Sequence, residues 1–158
     1  MKKNIYKNES LSKYNWFNLG GPAETFFKPN NEIEIKEFLK SQFKETKKIH
    51  ILGAGSNTLF RDKGFDGIII KLNKNFAYTK LLEDNKIEVG AATLDKHVSD
   101  FATEKSLSGF EFLSCIPGSI GGAITMNSGC YGEDISKIVF SLKVMDLNGE
   151  IKLSLIHI

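Results

Sequence analysis

The sequence predicts an α+β fold, and two observations carry that expectation. Helix-like and strand-like patterns are mixed without the regular strand–helix alternation of a doubly wound parallel sheet. Residues 76–82 and 86–89 read as an antiparallel hairpin closed by Glu83-Asp84-Asn85. Two glycine-rich segments, Ile51-Leu-Gly-Ala-Gly-Ser-Asn-Thr-Leu59 and Cys115-Ile-Pro-Gly-Ser-Ile-Gly-Gly-Ala-Ile-Thr-Met-Asn-Ser-Gly-Cys-Tyr-Gly132, each adjoin an apolar run.

Taken in order, residues 1–30 read as coil and short extended pieces. Gly20-Gly21-Pro22 demands a turn, and Thr25-Phe26-Phe27 is a short strand ending at Pro29. Asn31 is a helix N-cap, with Glu34 three residues on in a capping-box pattern. Ile35, Phe38, Leu39 and Phe43 follow at helical spacing, with Lys36, Glu37, Lys40 and Lys44 on the other face. Ile49–Leu52 and Ile68–Ile70 are buried-type strands, the first running straight into the first glycine segment. Thr93 is expected to cap a second helix bearing Leu94, Val98, Phe101 and Ala102. The second glycine segment has room for a short helix. Phe140, Leu142 and Val144 alternate as a strand into an Asn148-Gly149 turn, and another strand starts at Ile151. A break at Asp62-Lys63-Gly64-Phe65-Asp66 divides the chain into lobes at 1–65 and 66–152.

Twenty-one basic and nineteen acidic residues leave a net charge of +2, with the lysines scattered, so charge supports neither nucleic-acid nor membrane-surface binding. Met1-Lys-Lys3 is followed by no apolar signal-peptide core, and no run reaches the roughly 20 apolar residues of a membrane span. Cys115 and Cys130 are too few and wrongly spaced for zinc and read as reduced thiols; the expected location is the cytoplasm. Leu153-Ser-Leu-Ile-His-Ile158 is the in-frame translation of a widely used sequencing-transposon end. The biological sequence is therefore expected to end near Lys152, with residues 153–158 adaptor-derived and the chain a fragment.

Glycine admits positive φ and lets backbone amides approach an anion, and successive N–H groups in such turns make an anion-binding concavity. Two such segments suggest a pyrophosphate held from two sides. Gly53-Ala54-Gly55-Ser56-Asn57-Thr58 lacks the Gly-Lys-Ser/Thr ending of a Walker loop. It also lacks the third glycine and following helix of a Rossmann turn. It reads as a phosphate nest outside both patterns, with Ser56 and Asn57 adding side-chain donors; a plain turn between strands is the alternative. Pro117-Gly118-Ser119-Ile120-Gly121-Gly122 concentrates three glycines, each costing roughly 0.5–1 kcal/mol against alanine in regular structure. That concentration points to close approach by something flat and large, with Asn127 and Ser128 as further polar contacts. His50 and His97 read as structural, His157 falls in the expected adaptor, and Arg61 with Asp62 either orients the first glycine segment or makes a surface ion pair, the second reading being preferred. No Ser/His/Asp or metal constellation emerges.

Asn15-Trp-Phe-Asn-Leu-Gly-Gly-Pro-Ala23, Leu52-Gly-Ala-Gly-Ser-Asn-Thr-Leu-Phe-Arg-Asp62 and Ile116-Pro-Gly-Ser-Ile-Gly-Gly-Ala123 through Asn127-Ser-Gly-Cys-Tyr-Gly132 resemble, in register, the UDP-N-acetylenolpyruvoylglucosamine reductase (MurB) family of bacterial peptidoglycan synthesis. The departures are Trp16 where threonine is usual and Cys130 where alanine is common. The resemblance implies a two-lobed FAD-binding domain of the vanillyl-alcohol-oxidase (PCMH) type, truncated before the substrate-binding domain. It places the FAD pyrophosphate on Leu52, Gly53, Ala54, Gly55, Ser56, Asn57, Thr58 and Leu59. The rest of the cofactor falls to Ser114, Cys115, Ile116, Pro117, Gly118, Ser119, Gly121, Gly122, Ala123 and Asn127. NADPH is the implied hydride donor and a UDP-sugar enolpyruvyl ether the implied substrate. The family's arginine, serine and glutamate fall beyond residue 158, so no catalytic residue is assigned here and the polypeptide alone is expected to be inactive. Another flavin oxidase of this fold and a non-catalytic nucleotide-binding module are the alternatives.

Overall fold

The computed structural model describes residues 4–42 and 47–155. Strands β1 (Ile5–Ser10) and β2 (Pro22–Phe27) lead to helix α1 (Glu32–Gln42), followed by β3 (Ile49–Ile51) and β4 (Phe65–Ile70). These strands form one mixed sheet in the order β1-β2-β4-β3; β1 is antiparallel to β2, whereas β2, β4 and β3 run parallel. Parallel neighbours need a long crossover, ordinarily a helix. Between β3 and β4 that crossover is the first glycine segment with its turn at residue 64, so the segment sits at the C-terminal edge of the parallel strands.

Period-two alternation assigns the sheet's two faces. Phe26 and Ile69 join Leu11, Ala23, Leu52 and Phe60 on one side, where the Tyr14 and Phe26 rings stack at 4.5 Å. Phe27, Ile68 and Ile70 pack under Phe38 and Leu39 of α1 on the other. Asn31 caps α1 as expected, its Oδ1 accepting the Glu34 N–H at 2.9 Å. The Glu34 carboxylate closes back on the Asn30 N–H, 2.8 Å, one residue before the capping-box position. Phe43 and Lys44, expected on this helix, lie outside the described residues.

The hairpin forms as β5 (Thr79–Leu81) and β6 (Ile87–Val89). Helix α2 spans Asp95–Glu104, and α3 (Ile120–Met126) is the short helix within the second glycine segment. Val98 and Ala102 of α2 pack with Phe112, Leu113, Ile120 and Ala123 in a second core. Thr93 does not cap α2: its hydroxyl donates to the Tyr78 carbonyl and accepts the Tyr78 N–H, both at 3.0 Å, and Leu94 holds the cap position. That hydroxyl ties the hairpin to the helix entry instead.

Short β7 (Gly129–Cys130) and β8 (Glu133–Asp134) pair, as do β9 (Ser141–Met145) and β10 (Ile151–Leu155) across a turn at Gly149 with φ 78°. The boundary expected at residue 65 falls on the first residue of β4, whose pairing with β2 and β3 carries the first sheet on to Ile70. The β9–β10 hairpin also reaches back to α1: Lys143 pairs with Glu32 at 2.7 Å and Met145 joins the core beneath the helix. Residues 153–155 pair within β10, while 156–158, with His157, lie outside the described residues. Among the described residues no helix is long and apolar enough to cross a membrane.

Candidate functional site

Leu52 anchors the first glycine segment, its side chain buried and its N–H bonded to the Ile70 carbonyl at 2.8 Å. Beyond that bond the pattern changes. Among the described residues, no backbone N–H from Gly53 through Asn57 has a protein acceptor, and residues 56–57 form a tight turn that draws the Thr58 N–H toward the Gly55 carbonyl. The side chains of Ser56, Asn57 and Thr58 are likewise without protein partners. Folded chains rarely leave consecutive donors unmade unless solvent or a ligand accepts them. Gly55 at φ 80° supplies the left-handed step that turns successive N–H groups toward one side.

The second glycine segment lies directly against the first. A Cβ on Gly53 would stand 3.0 Å from Ser119 Oγ and 3.9 Å from Gly122 Cα, so Gly53, Ser119 and Gly122 meet at the seam of the two segments. Gly118 bonds internally to Ile116, Ile120 to the Thr93 carbonyl and Gly121 to the Ala91 carbonyl. The N–H groups of Ser119 and Gly122 remain without protein acceptors, so both segments contribute donors at one place. Ala123 is buried against Val98 and Leu113 and seats α3, and Asn127 ends it in the left-handed region at φ 44°, its Oδ1 accepting the Ser136 N–H at 3.1 Å. Ser114 and Cys115 are exposed at the start of the segment; the Cys130 thiol donates to the Phe112 carbonyl at 3.3 Å.

The glycines answer a closer constraint than the one inferred from sequence. A Cβ on Gly55 would fall 2.1 Å from the Tyr14 carbonyl oxygen, one on Gly118 2.5 Å from Asp95 Oδ2, and one on Gly121 3.0 Å from the Ala91 carbonyl oxygen. At these three positions the close approach is made by the chain itself. Gly122 differs: its nearest neighbour would be Ser119 Oγ at 3.6 Å, an ordinary contact, which leaves that face open.

Three contributors escape the sequence reading. The buried Asn15 side chain bonds the Leu11 and Leu19 carbonyls, each at 2.8 Å, while the Trp16 N–H bonds the Gly55 carbonyl at 3.1 Å. The Asn15-Trp-Phe-Asn stretch thus braces the back of the first segment. Asp95 lies wholly buried beneath Gly118, neither carboxylate oxygen having a hydrogen-bond partner, and burial alone pushes its carboxyl up to about 7. Asp95, Val98, Ser99 and Ala102 are the buried positions of α2 at helical spacing, so an acid on the inward stripe was a readable signal. Lys71, half-buried just after β4, donates to the Gly53 carbonyl. His50 packs among Phe60 and Phe65, and His97 is exposed. Arg61 and Asp62 make no ion pair among the described residues; Gly21 and Gly64 bond instead to the Arg61 carbonyl, at 3.0 and 2.8 Å.

A run of backbone donors beside a second glycine segment suits an acceptor-only, doubly charged group such as a pyrophosphate, and a dinucleotide long enough to cross the seam. The residues present therefore fit FAD.

A family model described as an FAD binding domain matches residues 23–154. The chain is 49% identical over 141 residues to the UDP-N-acetylenolpyruvoylglucosamine reductase of Pelagibacter ubique, covering 89% of this chain and 46% of that protein. Against the Orientia tsutsugamushi (Ikeda) reductase the identity is 42% over 146 residues, with 90% and 48% covered. The chain thus spans about half the length of the curated relatives it matches. The crystal structure of the Thermus caldophilus reductase superposes with a TM-score of 0.79 at 27% identity, over 96% of this chain and 52% of that one. A berberine bridge enzyme variant, at 16% identity and a TM-score of 0.65 over 96% of this chain and 35% of its own, shares the fold.

Proposed function

The chain belongs to the FAD-binding-domain family, and from that premise we propose that it is the FAD-binding portion of a UDP-N-acetylenolpyruvoylglucosamine reductase. The whole protein would use NADPH to reduce the enolpyruvyl ether of a UDP-sugar, in the cytoplasm, as a step of peptidoglycan synthesis. The observation that carries the reading is the meeting of the two glycine segments at Gly53, Ser119 and Gly122, with the free N–H run of residues 53–57 beside it. Similarity to proteins named as this reductase, along nine-tenths of the chain, supports the substrate class.

In this reading Gly53–Leu59 hold the FAD pyrophosphate by donating backbone N–H groups, whose partial positive charge is fixed before the ligand arrives. Ser56, Asn57 and Thr58 add side-chain donors at the rim. Ser119, Gly122 and the chain from Ser114 to Ala123 hold the remainder of the cofactor, and Asn127 keeps the end of α3 in place beside it. FAD supplies the hydride-transfer chemistry when bound. The chain's own residues bind and orient it, and none is assigned proton transfer to substrate. A covalently tethered flavin oxidase is disfavoured, since the first segment holds no histidine or cysteine and His50 is enclosed by Phe60 and Phe65.

The test is the absorption spectrum, with added FAD, of the protein extended to its natural stop codon. Retained flavin bleached by NADPH and recovered by the enolpyruvyl sugar nucleotide supports the reductase. Recovery by oxygen alone supports an oxidase, and failure to bind flavin overturns the reading.

A further inference from the structure

Lys71 is a half-buried cation with no acid to answer it. It follows β4 at the C-terminal edge of the parallel strands, its backbone N–H bonded to the Phe27 carbonyl at 3.0 Å. The Phe27–Ile70 register sets Lys28 beside it. Among the described residues neither lysine has a carboxylate partner. Burial, with Lys28 as a like charge nearby, holds the Lys71 amine below the usual lysine range. A partly desolvated cation kept next to another cation is unfavourable for the fold by itself. Among the described residues its one protein acceptor is the Gly53 carbonyl.

That single bond orients the start of the donor run. In a trans peptide the carbonyl and the following N–H point in opposite directions, and the described chain has no cis peptide. With the Gly53 carbonyl held back toward Lys71, the Ala54 N–H is directed away from it. That N–H is one of the free donors. We propose that Lys71 is the positioning residue of the first glycine segment: it holds the Gly53 carbonyl so that the Ala54 N–H faces the pyrophosphate of a bound dinucleotide. Lys71 and Lys28 together supply positive charge behind that peptide. The proposal rests on the FAD reading above, but it requires only a diphosphate.

The test is titration of FAD, ADP and riboflavin into the protein extended to its natural stop codon and its K71M and K71R variants, with apo thermal midpoints measured alongside. Methionine keeps the length of the stem and removes the charged donor. The Kd for FAD and for ADP is expected to rise at least about tenfold in K71M, riboflavin binding to stay unchanged, and K71R to stay within about threefold of the parent. The apo midpoint of K71M is expected to hold or rise, because a desolvated cation has been removed. Unchanged FAD affinity in K71M overturns the proposal. So does a fall in midpoint with FAD and riboflavin weakened alike, which marks a merely structural lysine. Lys71-dependent binding of ADP without any flavin binding would overturn the FAD reading and leave this proposal standing; binding of neither by the parent chain overturns both.

Discussion

Replacing Asp95 by asparagine isolates the energetic consequence of burying an unpaired acid beneath the second glycine segment. Both carboxylate oxygens lack partners, and burial is the sole cause that raises the group from 3.8 to about 7. Between those values the folded chain holds a proton that the unfolded chain has released. Stability therefore falls as pH rises through that window and is flat, for this group, on either side. At 1.36 kcal/mol per unit, the loss amounts to about 4 kcal/mol by pH 8. Asparagine matches protonated aspartate in shape and carries no charge. Asp95→Asn is thus expected to leave stability nearly unchanged at pH 4 and to raise it by about 2–4 kcal/mol at pH 8, part of the gain being offset by its unpaired amide. Urea unfolding of both proteins at the two pH values measures the difference. A gain independent of pH, or none at pH 8, refutes the view that Asp95 is buried without a partner.

Three further substitutions test how the site is built. Gly55→Ala puts a methyl 2.1 Å from the Tyr14 carbonyl oxygen at φ 80°, and equilibrium unfolding should show a loss of more than about 2 kcal/mol. Gly122→Ala has ordinary contacts on α3, so the apo protein should gain about 0.5–1 kcal/mol while its Kd for FAD rises; unimpaired FAD binding would show that the open face of Gly122 is not used. Asn15→Ala removes two side-chain bonds, to the Leu11 and Leu19 carbonyls, at the back of the first segment, and should cost about 1–2 kcal/mol by thermal or chemical unfolding.

What was legible in the chain follows from the range of the forces involved. α1, the β5–β6 hairpin and β4 depend on local signals: an Asn31 cap, acidic turn residues and an apolar Ile68–Ile70 run. Strand β1 had no such signal, because Ile5–Ser10 is a mostly exposed edge whose pairing with β2 is decided by tertiary contact. Thr93 misled for a related reason. A hydroxyl before a helix can cap it or bond elsewhere, and Tyr78, fifteen residues away, takes both its donor and its acceptor capacity.

The candidate site divides along the same line. Both glycine segments stood out in composition, but why each glycine is needed was not readable there. Gly53 and Gly122 lie where the two segments meet, whereas at Gly55 and Gly118 the Tyr14 carbonyl and the Asp95 carboxylate occupy the space a side chain would fill, and Gly121 sits tight against Ala91. A cradle whose donors are backbone N–H groups takes its precision from whatever holds the backbone. Here the holders are Asn15 and Trp16 behind the first segment, Lys71 on the Gly53 carbonyl, and Asp95 and Ala91 behind the second. Substitutions in the holders should therefore change cofactor affinity without touching the cofactor. Glycine substitutions should separate into those that unfold the cradle and, at Gly122, one that obstructs it.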